Sequence, residues 1–385
     1  MSGDKERERI GKWLRLHLTE QVGPRTFRKL RDCFGDVDRI LGATAGELAA
    51  VKGIGPKKAE QICGAQKQIK VEEEMERAEE LGVQIITLEC EGYPALLKQI
   101  HTPPTVIFVK GELQRRDELA VAIVGSRRCS HYGREQAARL SHLLAAAGFT
   151  VVSGLARGID SEAHRGALAA EGRTIAVLGC GLAEVYPPEN VGLAERIGQN
   201  GALVSELPMG FAPLAGMFHA RNRIISGLSL GTIVVEASKN SGALITANYA
   251  VEQNREVLAV AGRVDAPGSW GPHKLIKDGA VLVEKIEDVL EALGQVGSIL
   301  SQHAKATSAK AEKSAEPGLF DFERLQLNEK ERIIYNCLDH EARHIDDIIT
   351  SSKLPMNEVY AAVTSLQLKG IIKQLAGSYY QKRNK

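Results

Sequence analysis

Between residues 111 and 295 the chain alternates short unbroken apolar runs with longer stretches of helical spacing. The runs are "LAVAIVG", "FTVVSG", "TIAVLG", "ALVSE", "GTIVVEA", "EVLAVAG" and "AVLVEKI". Apolar at nearly every position rather than every second one, they read as strands buried on both faces, which implies a parallel sheet covered by helices. The intervening stretches, such as "HYGREQAARLSHLLAAAG" and "DSEAHRGALAAEG", supply the crossover helices. The pattern predicts an α/β core, a Rossmann-like doubly wound parallel sheet. Ligands of such sheets bind beyond the carboxyl ends of the strands.

The flanking patterns differ. Residues 1–70 read as a helical domain of the helix-hairpin-helix (SAM-like) kind. Gly23-Pro24 precedes one helix, and Gly53-Ile54-Gly55-Pro56 precedes another, with Pro at the first helical position and Gly in the turn. The backbone N–H groups of that second hairpin suit a phosphate, and Lys57 and Lys58 add charge beside Gly53 and Gly55. The alternative is a packing hairpin without a ligand. Residues 71–110 hold an acidic helix, the strand "VQIITL" and a turn, and read as a connector packing on the core. Residues 296–325 are rich in Ala, Ser and Lys without a core pattern and read as a flexible linker. Residues 326–385 show three short helical patterns and then "IIKQLAGSYYQ", the layout of a winged helix. Its third helical pattern carries Glu358 and a single cation, Lys369, which favours a protein contact over reading of a duplex.

Composition narrows the picture. The chain has 385 residues and a net charge of +1, so any nucleic-acid site is a local patch, and residues 1–70, with 15 Lys and Arg against 9 Asp and Glu, are one basic region. No apolar run approaches a membrane span, the first residues lack a secretory pattern, and the six cysteines show no C-x-x-C spacing. The expectation is a cytoplasmic protein without a metal site or cofactor.

The strand-end turns carry the chemistry. They bring Gly125, Ser126 and Arg127 after the first run; Gly154, Arg157, Gly158, Asp160 and His164 after the second; Arg221 and Arg223 after the fourth; and Lys239, Ser241, Gly242 and Thr246 after the fifth. Small residues beside cations suit phosphate, because Gly lets the backbone approach and Arg offers a two-pronged charged bond. Several such turns on one rim would suit several phosphates in a row. Each residue also has a plainer reading. Asp160 caps a helix, His164 packs, Arg221 and Arg223 pair with Glu206 or Glu236, and Ser241 and Thr246 serve the turn and the helix start. Phe211, Phe218, Tyr186 and Trp270 fall in the same loops and are candidate stacking platforms. The sequence holds neither a Walker motif nor a G-x-S-x-G elbow.

The stretches "VAIVGSRRCSHYG", "VVSGLARGIDSEAHRGAL", "FHARNRIISGLS", "VVEASKNSGALITANYA" and "GPHKLIKDGA", in that order, resemble the DNA-processing protein A (DprA/Smf) family. The resemblance implies a non-catalytic binder of single-stranded DNA that forms a homodimer and loads the RecA recombinase on incoming strands during natural transformation. It implies DNA contacts at Gly125, Ser126, Arg127, Arg157, Arg221, Arg223, Lys239, Ser241 and Gly242. Two departures stand out. Asn240 replaces the basic residue usual before Ser241-Gly242, and His273 and Lys274 stand in a motif that usually reads G-x-N-x-L-I. A competing reading is a nucleotide-processing enzyme of the Rossmann-like phosphoribohydrolase type, which carries P-G-G-x-G-T-x-x-E; this sequence keeps Gly231, Thr232 and a later Glu236 but lacks the Pro-Gly-Gly.

Overall fold

A computed structural model describes residues 2–294, 329–338, 343–352, 354–356, 358–359, 362–363, 366, 372–375 and 379–382. The chain divides into two compact units, Met1–Ala306 and Thr307–Lys385. The linker expected over 296–325 and the cation Lys369 lie outside the described residues.

The first unit begins with six helices, α1 (Ser2–Leu18), α2 (Pro24–Phe34), α3 (Val37–Gly42), α4 (Ala45–Ala49), α5 (Pro56–Gln68) and α6 (Val71–Glu80). Gly23 and Gly55 sit at the N-caps of α2 and α5 with Pro next, and Thr44 and Glu47 close a capping box on α4. These helices bury Trp13, Phe27, Leu30, Ile40, Leu48 and Ile62 in a core continuous with one face of the sheet.

That sheet has nine strands. They are β1 (Val83–Thr87), β2 (Val106–Gly111), β3 (Ala120–Val124), β4 (Thr150–Ser153), β5 (Thr174–Val177), β6 (Ala202–Ser205), β7 (Gly231–Val234), β8 (Glu256–Val260) and β9 (Val281–Val283), in the spatial order β1-β2-β6-β5-β4-β3-β7-β8-β9. Strands β3 to β9 run parallel. All five residues of β3 are buried, as a strand covered on both faces requires. A second apolar cluster, with Ile123, Leu140, Phe149 and Ile233, fills the opposite face. The expected connector does more than pack on the core. β1 and β2 extend the sheet antiparallel from β6, with Phe108 opposite Ser205.

The helices that follow strands of this sheet are α7 (Ala95–Lys98), α8 (His131–Ala146), α9 (Ile159–Ala169), α10 (Val191–Asn200), α11 (Ala215–Gly227), α12 (Gly242–Glu252), α13 (Trp270–Lys277) and α14 (Ile286–Ala292). The chain winds outward from β3 through β4, β5 and β6, then returns to the other side of β3 as β7. This reversal opens a crevice at the carboxyl ends of β3 and β7.

The second unit, taken by itself, has helices over Glu329–Asn336 and Ile345–Ser352 and a three-stranded sheet of Arg343–His344, Tyr379–Lys382 and Ile372–Leu375. Ile334, Leu338, Ile348, Val363 and Leu366 form its core. Glu358 pairs with Lys330 at 2.9 Å. Among the described residues no helix is long and apolar enough to cross a membrane.

Candidate nucleic-acid interface

The crevice between β3 and β7 is a basin of about 720 Å³. Its first wall is the turn after β3. Gly125 is obligatory there, because a Cβ would sit 2.6 Å from Ile159 Cγ1 and 2.9 Å from the Glu236 carbonyl oxygen. Ser126 N–H donates to that carbonyl at 2.7 Å, and Ser126 O accepts from Ile159 N–H at 3.2 Å. Gly158, at φ +77°, lets the next loop close over the same turn. Ser130 caps α8 by accepting from Gly133 N–H at 3.0 Å. Its own N–H donates to Glu236 Oε2 at 2.9 Å, and its hydroxyl donates to Glu236 Oε1. Glu236 thus ties the β3 turn to the end of β7 through three bonds.

Arg127 stands exposed on this anchored turn, with its guanidinium 5.3 Å from the Phe218 ring centroid. Phe218 in turn packs on Tyr186 with centroids 5.5 Å apart. Ser126, Arg127, Tyr186, Phe218, Ser241 and Gly242 all line the basin. Ser241 also accepts from Ala243 N–H at 3.3 Å as the N-cap of α12, so its capping reading and its place in the basin both hold.

The two arginines of "HARNRII" separate. They fall inside α11 rather than in a turn, and residues two apart on a helix face different sides. Arg221 turns toward the basin floor but is buried. It donates from Nη2 to Gly154 O at 2.9 Å and lies 4.0 Å from Asp160. Its Nε and Nη1 find no hydrogen-bond partner among the described residues. Burial lowers its pKa to about 10, against the pull of Asp160. The same burial raises the Asp160 carboxyl, with Arg221 opposing. Gly154 makes the seat, since a Cβ there would overlap the guanidinium.

Arg223 does not reach the basin. It forms a buried ion pair with Glu206, the bracing alternative, on the side where His17 meets the Glu206 carbonyl at 2.7 Å and Thr105 Oγ1 at 2.8 Å. Arg223, expected as a DNA contact, is thus placed outside the basin lining, with its side chain 9% exposed and its charge matched by Glu206.

Arg157 is exposed but paired with Glu189, outside the basin lining. Asp160 accepts weakly from Ala156 N–H at 3.4 Å, so it steadies the loop before α9. His164 is fully buried on Thr174 Oγ1 at 2.6 Å, a packing histidine, and burial lowers its pKa to about 3. Lys239 is exposed beside the lining residue Ser238, with Nζ 5.5 Å from the Trp270 ring centroid. Thr246 is buried at the basin wall. In the N-terminal hairpin, Gly53 adopts φ +88°, and Gly55 caps α5 without a side-chain bond. Lys57 is exposed, and Lys58 donates to Thr26 Oγ1 at 3.1 Å, joining the two hairpins.

Sequence reasoning missed Glu236 as the anchor of the Arg127 turn. Its partner Ser130 is 106 residues away, so no local spacing signals the link. It also missed Asn222, which lines the basin and donates to Gly242 O at 3.1 Å.

Comparison with known proteins agrees with this architecture. The sequence model of the DNA recombination-mediator protein A family matches residues 84–294. That of the DprA winged helix domain matches 321–378, and that of the SAM-like helix-hairpin-helix tandem matches 19–65. Protein Smf of Synechocystis sp. is 34% identical over 392 residues, covering 96% of this chain and 98% of the relative. Protein Smf of Escherichia coli is 41% identical over 300 residues, 78% of this chain and 77% of the relative. The X-ray structure of DNA processing protein A from Streptococcus pneumoniae superposes with a TM-score of 0.66 at 34% identity, over 73% of this chain and 97% of that one.

Proposed function

Because this chain belongs to the DNA recombination-mediator protein A family, we propose that it binds single-stranded DNA in the β3/β7 basin and delivers the strand to the RecA recombinase during DNA processing and natural transformation. It does so without catalysis, as a homodimer through the Rossmann-like core, in the cytoplasm. The observation that carries the reading is the exposed Arg127, held on a turn anchored by Glu236 and seated against Phe218 at the basin mouth. A guanidinium beside aromatic rings offers a phosphate contact and a stacking surface together, the pairing that single strands exploit. Ser126, Ser241 and Gly242 add hydroxyl and backbone groups around the same opening. Arg221, behind them, supplies positive potential from the floor. Both oxygens of Glu236, the glutamate that follows Gly231 and Thr232, are already bonded to Ser130, which supports binding over hydrolysis.

Fluorescence anisotropy of labelled oligothymidylate and of a matched duplex, across a salt series, tests the site. Single-strand binding should dominate and weaken with log salt at a slope of about 0.7 per neutralised phosphate. Arg127→Glu should abolish it with the fold intact. Undiminished affinity in that variant overturns the assignment. Recombinase nucleation on single strands, followed with and without the protein, tests the second half of the proposal. No acceleration would overturn delivery while leaving binding in place.

A further inference from the structure

Trp270 opens α13 two residues beyond Gly268, which lines the basin wall. Its loop is clamped to the end of β7 from both sides. Ala237 N–H donates to Gly268 O, and Gly271 N–H donates to Ala237 O, both at 2.7 Å. A Cβ on Gly271 would lie 2.6 Å from Ala237 Cβ, so backbone and strand meet directly there. The indole is therefore fixed to the same strand end that carries Lys239 and Ser241, yet it stays 37% exposed. Two ammonium groups approach its ring, Lys239 Nζ at 5.5 Å and Lys274 Nζ at 5.6 Å from the centroid. No ion pair among the described residues involves either lysine. Phe218, by contrast, already carries Arg127 and leans on Tyr186.

We propose that Trp270, Lys239 and Lys274 form a second nucleotide seat outside the basin, where one base of a single strand stacks on the indole and the two ammonium groups take the phosphates flanking it. This rests on the reading of the basin as a single-strand site, and it sets the direction in which the strand leaves, past Gly268 and over α13. The physical basis is an exchange. An ammonium over an exposed ring is held weakly, and a base stacked on an aromatic side chain is held more strongly. An arriving base therefore displaces a lysine from the ring, and the freed charge meets a phosphate at the distance of one side chain. Lys274 lies one turn along α13 from Trp270, so base and phosphate are served by a single rigid element.

The chain has two tryptophans. Trp13 is 2% exposed in the N-terminal core, out of reach of a base. Intrinsic emission of the full chain therefore reports on Trp270 when strand is added. Oligothymidylate should quench it along the binding curve measured by anisotropy, whereas an abasic strand of equal length and the matched duplex should not. Trp270→Ala should abolish the quenching and weaken oligothymidylate binding about 5- to 150-fold. Trp270→Phe, which keeps a ring, should retain most of the affinity and guards against a folding artefact. Lys239→Gln and Lys274→Gln should each flatten the salt slope by about 0.7. Anisotropy binding with unchanged emission, or full affinity in Trp270→Ala, would overturn the seat and leave the basin reading standing. Absence of anisotropy binding by the wild-type chain would overturn both.

Discussion

Replacing Arg223 by methionine separates a brace from a DNA contact. The Arg223 and Glu206 side chains are 9% and 13% exposed, and they pair directly. Arg223 Nη1 finds no hydrogen-bond partner among the described residues, so the brace relies on Glu206. Removing one member of a buried pair leaves an uncompensated charge and costs about 3–5 kcal/mol. With a urea slope of about 3 kcal/mol per M, the unfolding midpoint should fall by roughly 1–1.7 M. Arg223→Met with Glu206→Gln should recover more than half of that loss, because no charge is then stranded. The loss should also depend on pH. Burial already raises the Glu206 carboxyl above its usual range, with Arg223 opposing. Without Arg223 the rise grows, so the native variant keeps the Glu206 proton to higher pH than its unfolded chain does. A raised carboxyl contributes stability that is complete below its unfolded value and is lost as pH rises through its folded one. The variant should thus regain stability as pH falls from neutrality toward the ordinary glutamate range, more than wild type does. Urea unfolding at two pH values, paired with anisotropy in native buffer, decides the matter. A variant with an unmoved midpoint and lost strand affinity would refute the buried-brace reasoning and return Arg223 to the interface.

Three further outcomes follow from the same geometry. Glu236→Ala removes the carboxylate holding Ser130 and should cost about 1–3 kcal/mol; it should also weaken strand binding although Arg127 is untouched, and equal affinity would show that the turn holds its shape alone. Gly125→Ala pushes a methyl against Ile159 and the Glu236 carbonyl, for an expected loss of about 1–3 kcal/mol in thermal or urea unfolding. His164, with its pKa lowered to about 3 by burial, contributes stability present above its ordinary value of 6.5 and lost as pH falls toward 3, so His164→Asn should flatten the acid limb of the stability profile.

What the sequence disclosed and what it hid divide along the range of the interactions involved. The seven parallel strands were legible because burial on both faces removes the polar alternation, and the turns after them because Gly and cations cluster there. β1 read only as a strand within a connector and β2 not as a strand at all, since nothing within "VQIITL" encodes that its partner β2 will dock antiparallel on β6, nearly a hundred residues further along. The arginines of α11 show the same limit at shorter range. Read as a turn, "HARNRII" offers two equivalent cations. Read as a helix, it must send them to different sides, and then the nearest buried carboxylate decides each fate. Asp160 lies 4.0 Å from Arg221 beneath the basin, and Glu206 captures Arg223 beside His17. Charge visible in a sequence is therefore an upper bound on charge available to a ligand. The basin keeps Arg127 because its turn bonds to Glu236 through Ser126 and Ser130, which engages that carboxylate with backbone and hydroxyl donors instead of with the guanidinium.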